Sequence, residues 1–173
     1  MSLSRLLTLA LLMVSLVGLA GCSSKGDIDE TAASMPIDID PTDGRVLYES
    51  IDYGVYVGTP GRRDAVRLAE GIPLGLSPDR KHVLVLGLAQ PTRISLAPIG
   101  AGSTVELPSG PITRHTSAVF TPDGRRIVLS GAEKNQGSRL YVQDLAGGEP
   151  KPISAFGVRL PPFQPRLVSP DGA

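Results

Sequence analysis

The sequence predicts an all-β chain: a partial β-propeller of about three four-stranded blades, following an N-terminal signal peptide and a flexible linker. Three observations predict it. A Pro-Asp-Gly turn recurs along the chain. Each copy is flanked by short runs of Val, Ile and Leu, residues that fit a pleated, half-buried surface. The copies are spaced at intervals close to the roughly 40–45 residues of a propeller blade.

The best-formed copy runs from Phe120 through Thr121-Pro122-Asp123-Gly124 to Ile127-Val128-Leu129. Proline presets φ for the second position of a turn, Asp bonds the backbone locally, and Gly accepts the positive φ that sends the chain back as a hairpin. Three further turns align with it: Pro41-Thr42-Asp43-Gly44, Pro78-Asp79-Arg80 and Pro170-Asp171-Gly172. The intervals between their prolines are 37, 44 and 48 residues. Arg80 stands where the other copies have Gly, which predicts a strained turn or one of another type.

Each turn opens a unit of four short strands in meander order. First strands begin at Val46, Val83 and Ile127. Second strands follow at Val55-Tyr56-Val57, Ile94-Ser95-Leu96 and Leu140-Tyr141-Val142. After Gly-containing loops come Val66-Arg67-Leu68, Val105-Glu106-Leu107 and Pro152-Ile153-Ser154, and then Pro73 to Leu76, Ala118 to Phe120 and Arg166 to Val168. This reading gives blade-like repeats at 37–76, 77–120 and 121–168, with a further one starting at 169–173. Blades cover one another's apolar faces. Tryptophan is absent, so the core is built from Val, Leu and Ile.

The first 21 residues are of another kind. One basic residue, Arg5, precedes a nearly unbroken apolar run from Leu6 to Val17. That run is too short for a hydrocarbon core about 30 Å thick, but suits a secretory signal. It ends in Leu19-Ala20-Gly21-Cys22. These residues resemble the lipobox of bacterial lipoproteins. The resemblance implies acylation of Cys22 after cleavage of residues 1–21, and so a partner in the membrane itself. Ser23 in place of Asp implies, by likeness to Gram-negative lipoproteins, the outer membrane, with the protein facing the periplasm. Cys22 is the single cysteine, so an intrachain disulfide is excluded. Residues 22–36 are small, polar and aperiodic, as a flexible tether is. Asp27, Asp29 and Glu30 within it read as solvated charges rather than a cation site.

From about residue 37 onward the chain resembles the TolB-type, WD-repeat-like propellers. The resemblance rests on Ser77-Pro78-Asp79, Thr121-Pro122-Asp123-Gly124 and Ser169-Pro170-Asp171-Gly172, and on Leu140 to Leu145 with Gly147-Gly148. It departs from that pattern at Arg80, at Leu76 and Val168 where an aromatic is usual, and around Pro41. Propellers of this type occur as periplasmic proteins, as sensor ends of serine/threonine kinases and as lids of prolyl-oligopeptidase-type peptidases. The signal peptide occupies the end where such a kinase would sit.

The chain stops at Ala173, directly after the fourth turn. Three units are fewer than the four to eight blades of closed propellers. The reading is therefore of a fragment of a longer product, with self-association of two copies completing the ring as the alternative.

Charge excludes a further class. Lys plus Arg and Asp plus Glu are 17 each, so there is no basic field for nucleic acid. A Gly-x-Ser-x-Gly elbow, a phosphate loop and paired-Cys metal spacing are all missing. We expect no catalytic residue, no metal and no cofactor. His82 reads as a strand-edge residue and His115 as a residue where a loop meets a strand. Asp43, Asp79, Asp123 and Asp171 read as turn caps rather than a carboxylate ring. Arg62-Arg63, Arg80-Lys81 and Arg125-Arg126 read as solvated loop tips, with a basic rim for an anionic envelope component as the sharper alternative. The polar stretch Gly131 to Ser138 reads as a contact loop.

Two functions remain. One is a membrane-anchored, non-catalytic module that binds an unknown protein or envelope component through blade loops. The other is the propeller lid of a serine peptidase whose catalytic domain lies beyond residue 173.

Overall fold

The computed structural model describes residues 35–60, 62, 64–161 and 168–169. Twelve strands form three four-stranded antiparallel sheets, and the described residues contain no helix. The first sheet takes β1 (Met35–Ile39), β2 (Val46–Glu49), β3 (Gly54–Gly58) and β4 (Val66–Glu70) in chain order. The second takes β5 (Ile72–Leu76), β6 (His82–Leu86), β7 (Ile94–Pro98) and β8 (Val105–Glu106). The third takes β9 (Ile112–Phe120), β10 (Arg126–Glu133), β11 (Ser138–Asp144) and β12 (Lys151–Pro152). Each sheet is thus a meander, and the all-β class read from the sequence is the class observed.

The sheets are phased one strand earlier than the sequence units. The boundaries 37–76, 77–120 and 121–168 give way to sheets spanning 35–70, 72–106 and 112–152. The reason lies in the turn. The residue before proline donates its N–H back across it, Ser77 to the His82 carbonyl and Thr121 to the Arg126 carbonyl, both at 2.9 Å. A turn closed in this way makes its two flanking strands neighbours in one sheet. It therefore joins the first and second strands of a sheet rather than marking where one sheet gives way to the next. That change falls at Gly71, the only residue between β4 and β5, whose φ is +135°. A side chain there would meet the Leu86 carbonyl oxygen at 2.5 Å. Strand β1 also begins at Met35, so the last two residues assigned to the tether belong to the first sheet.

The sheets stack in sequence, with β1 and β2 against β5, and β5 and β6 against β9. The second sheet is covered on both faces, and its residues alternate between two cores. Val83 and Val85 pack with Leu47 and Val55 of the first sheet. Leu84 and Leu86 pack with Ile112, Phe120, Ile127, Leu129 and Tyr141 of the third. Period-two side-chain alternation turns one apolar run into two interfaces. Burying each such Leu contributes about 1.5–3 kcal/mol.

Candidate functional site

The repeated turns form the first group of candidate residues. In the copy at 121–124 the buried Thr121 hydroxyl donates to Asp123 Oδ1 at 2.6 Å, and Asp123 also accepts the Arg125 N–H at 3.1 Å. Ser77 and Asp79 repeat this at 2.6 Å, with the Lys81 N–H at 3.1 Å. The first copy closes over the same span, Asp40 N–H to the Arg45 carbonyl at 2.8 Å, but its glycine falls one place later. There Asp40 takes the place of the hydroxyl residue, and accepts the Thr42 hydroxyl at 2.6 Å and its N–H at 2.9 Å. Asp43 accepts the Arg45 N–H at 3.0 Å. Hydrogen bonds from Ser77 and Thr121 hold the Asp79 and Asp123 carboxyls below their ordinary range. Asp40 is lowered too, first by the two Thr42 donors, against the opposing effect of burial. These carboxylates are saturated by their own turns, so they form no open ring of acids.

The structure places Pro41, Gly44, Pro78, Pro122 and Gly124 in the same turns. Gly44 and Gly124 have φ of 72° and 67°, and Arg80 takes the same left-handed conformation at 61°. The substitution thus keeps the turn type and accepts the strain of a side chain there. Cys22, Pro170, Asp171 and Gly172 lie outside the described residues.

The histidines separate. His82 begins β6, half-buried. His115 lies within β9 rather than at a loop junction, and is 3 % exposed. Its Nδ1–H donates to the Thr92 carbonyl at 2.9 Å, while the Thr92 hydroxyl donates to the His115 carbonyl at 2.7 Å. Burial, opposed by that bond, pushes its pKa below 6.5. It is a satisfied core histidine clamping the loop before β7 onto β9. Among the described residues no group of three or more His, Cys, Asp or Glu side chains is placed to hold a metal ion.

Half of the polar stretch 131–138 is strand. β10 runs to Glu133 and β11 starts at Ser138, which leaves only residues 134–137 as the connection. Beside it, Glu133 accepts the Tyr141 hydroxyl at 2.8 Å and pairs with Arg139. Arg139 lies over the Tyr141 and Phe156 rings, 5.2 and 4.4 Å from their centroids. Hydrogen bonds from Tyr141 and Arg139 hold the Glu133 carboxyl low.

On the face of the same sheet turned away from the second sheet is a groove of about 690 Å³, lined by Arg114, Thr116, Ser138, Arg159, Leu160 and Pro161. No local pattern points to it, because its arginines are far apart in the chain and neither sits in a repeated position. A smaller cavity of about 290 Å³ lies where the first two sheets meet, among Val57, Val66, Leu68 and Ile99, with Arg45 and Asp64 beside them.

No protein-family model matches the chain, and no curated protein matches it. Solved structures do. The fold is similar to that of TolB from Acinetobacter baumannii, with a TM-score of 0.64 at 19% identity over 86% of this chain and 37% of that one. It is also similar to a protein described as TolB from Agrobacterium tumefaciens, with a TM-score of 0.58 at 19% identity over 70% of this chain and 46% of that one. The chain thus spans less than half the length of these structures, and the likeness shows that its three stacked sheets have the fold of part of a β-propeller.

Proposed function

We infer that this chain is a non-catalytic interaction module of the bacterial cell envelope, tethered to the membrane through an acylated Cys22 and presenting propeller loops to a protein or envelope partner. The observation that carries the reading is the arc of three stacked sheets, similar in fold to two TolB structures. The lipobox-like Leu19-Ala20-Gly21-Cys22 supports the anchor, and Ser23 supports the outer membrane. Two or three acyl chains hold far better than one, at about 0.8 kcal/mol per buried methylene.

Self-association belongs to the same proposal. By alternation, Tyr48 and Tyr56 of the first sheet face away from the second, stacked with ring centroids 5.6 Å apart and half-buried. A further sheet seated on this face, from a second copy, would extend the arc.

Affinity capture with the full chain from solubilised envelope tests the module. Recovery of one specific partner is the expected result, and recovery of none overturns it. Mass spectrometry of the mature N-terminus tests the anchor, and an unlipidated Cys22 in the membrane fraction overturns that.

A further inference from the structure

We propose that the groove on the face of the third sheet turned away from the second is a binding site for a carboxylate-bearing peptide segment, with Arg114 and Arg159 as the two ligating cations. This rests on the interaction-module reading and specifies its contact site.

The register builds one wall. Arg114 of β9 and Ser138 of β11 both pair with Ala132 of β10, so the three form one row across the sheet. Paired residues on antiparallel strands share a face. Ser138 is therefore on the face opposite Tyr141, whose side chain belongs to the core shared with the second sheet. Arg159 arrives from the segment after β12, which is fixed at two points. The Gly157 N–H donates to the Ser138 carbonyl at 2.7 Å, and the Phe156 ring lies under Arg139. The second arginine is thus held at the same groove as the first before any ligand arrives.

The charges there are uncompensated. Among the described residues Arg45, Arg80, Arg93 and Arg139 each reach a carboxylate within 4.0 Å, whereas Arg114 and Arg159 reach none. The acid at that end of the sheet, Glu133, is already taken by Arg139 and Tyr141. Planar guanidinium forks match a carboxylate in paired hydrogen bonds. The Ser138 hydroxyl has no partner among the described residues and adds a donor, while the Thr116 hydroxyl is held by Ser130 at 2.6 Å. Leu160 and Pro161 give the groove an apolar side. Its volume is in the range of sites for organic ligands, about 300–1,000 Å³, and exceeds what a bare ion fills. Charge, hydroxyl and apolar surface together fit a short acidic peptide.

The carboxylate has two sources, an acidic side chain or a chain end. Fluorescence anisotropy with the full 173-residue chain at low salt separates them. The probes are fluorescein-labelled Ala-Leu-Asp-Leu-Ala amide, the same peptide with Asn for Asp, and that Asn peptide with a free carboxyl terminus. At least one carboxylate peptide is expected to bind tenfold or more tightly than the Asn amide. Arg114→Gln and Arg159→Gln each weaken that binding at least tenfold, while Arg125→Gln, at the opposite end of the sheet, leaves it unchanged. Arg114→Glu reverses the preference toward a Lys-containing peptide. Equal binding of all three peptides, or unchanged binding by the Gln variants, overturns the site. A captured envelope partner that binds the Gln variants as well as the native chain overturns the site alone. Tight peptide binding with no captured partner overturns the module reading alone.

Discussion

Arg80 holds a left-handed φ of 61° in the hairpin of the second sheet, and from there its Nε lies 3.9 Å from the Asp40 carboxylate of the first. The same guanidinium lies 4.0 Å from Asp38, whose carboxylate also accepts the Leu76 N–H at 3.2 Å. An arginine thus occupies a glycine's position and ties two sheets together. Left-handed strain costs about 1 kcal/mol, and a partly exposed ion pair returns about 0.2–1 kcal/mol. Arg80→Gly, which loses both, should therefore lie within about 1 kcal/mol of the native chain. Arg80→Ala keeps the strain and loses the pair, so it should be less stable than Arg80→Gly by about 1 kcal/mol. Urea denaturation of the two variants measures the difference; an Ala variant equal to the Gly variant would remove the strain from the account.

Thr121 knits its turn through one oxygen. Its Oγ1 donates to Asp123, lies 2.8 Å from the Arg126 carbonyl, and accepts the Arg126 N–H at 3.2 Å. Thr121→Val keeps the shape and removes the oxygen. It should cost about 0.5–1.5 kcal/mol, the net worth of a hydrogen bond, because Asp123 and Arg126 are exposed and water can take the hydroxyl's place. Asp123→Asn keeps an acceptor and should cost less. Thermal melts of the two variants rank them, and the reverse order would show that the aspartate dominates the turn.

How far the sequence reveals this fold is clear from particular residues. The strands around Val83, Ile94 and Ile127 are legible because β-branched runs between turns have few alternatives. Sheet phase is not, since Leu74 and Leu76 follow one strand and precede a turn whichever sheet they join. What settles it is the Ser77–His82 pairing, which makes β5 and β6 neighbours. Arg80 is visible as a departure from Gly, but Asp38 and Asp40, its partners, lie in another sheet and leave no local pattern. The groove is less legible still. Arg114 and Arg159 line one groove only because the segment after β12 folds back along β11, a contact carried by Gly157 and Phe156.

His115 gives a pH dependence with a defined sign. Its native pKa lies below 6.5, because burial disfavours the cation and Arg93 repels it, while the Thr92 carbonyl offsets part of this. The unfolded ring protonates near 6.5 and the native ring does so only at lower pH. Stability is therefore full above that value and falls as pH drops below it, until the native ring also protonates. The slope cannot exceed one proton, about 1.4 kcal/mol per pH unit. Asp40, Asp79 and Asp123 add their own loss further down, as pH falls through and below the ordinary carboxylate range toward their lowered native values. Urea titrations at pH 7.5 and 5.5 should show a smaller difference for His115→Gln than for the native chain, whatever the variant's absolute stability. An unchanged difference would assign the slope to another group.

The two cores make a prediction about how the arc opens. Leu47 and Val55 belong to one cluster, Leu129 and Tyr141 to the other, and both clusters draw residues from the second sheet. In a stack where each unit contacts only its neighbours, stability is a sum of unit and interface contributions. Leu84 is fully buried and packs toward the third sheet. Leu84→Ala should cost about 2–5 kcal/mol. Because it weakens the central unit, it should lower hydrogen-exchange protection in β10 and β11 and also in β2 and β3. Leu47→Ala carries a similar local cost but should reduce protection chiefly in β2 and β3, since the first sheet can separate while the other two stay packed. Equal loss of protection in all three sheets from Leu47→Ala would mean that the arc unfolds as one unit, and that the interface between the first two sheets is as strong as the sheets it joins.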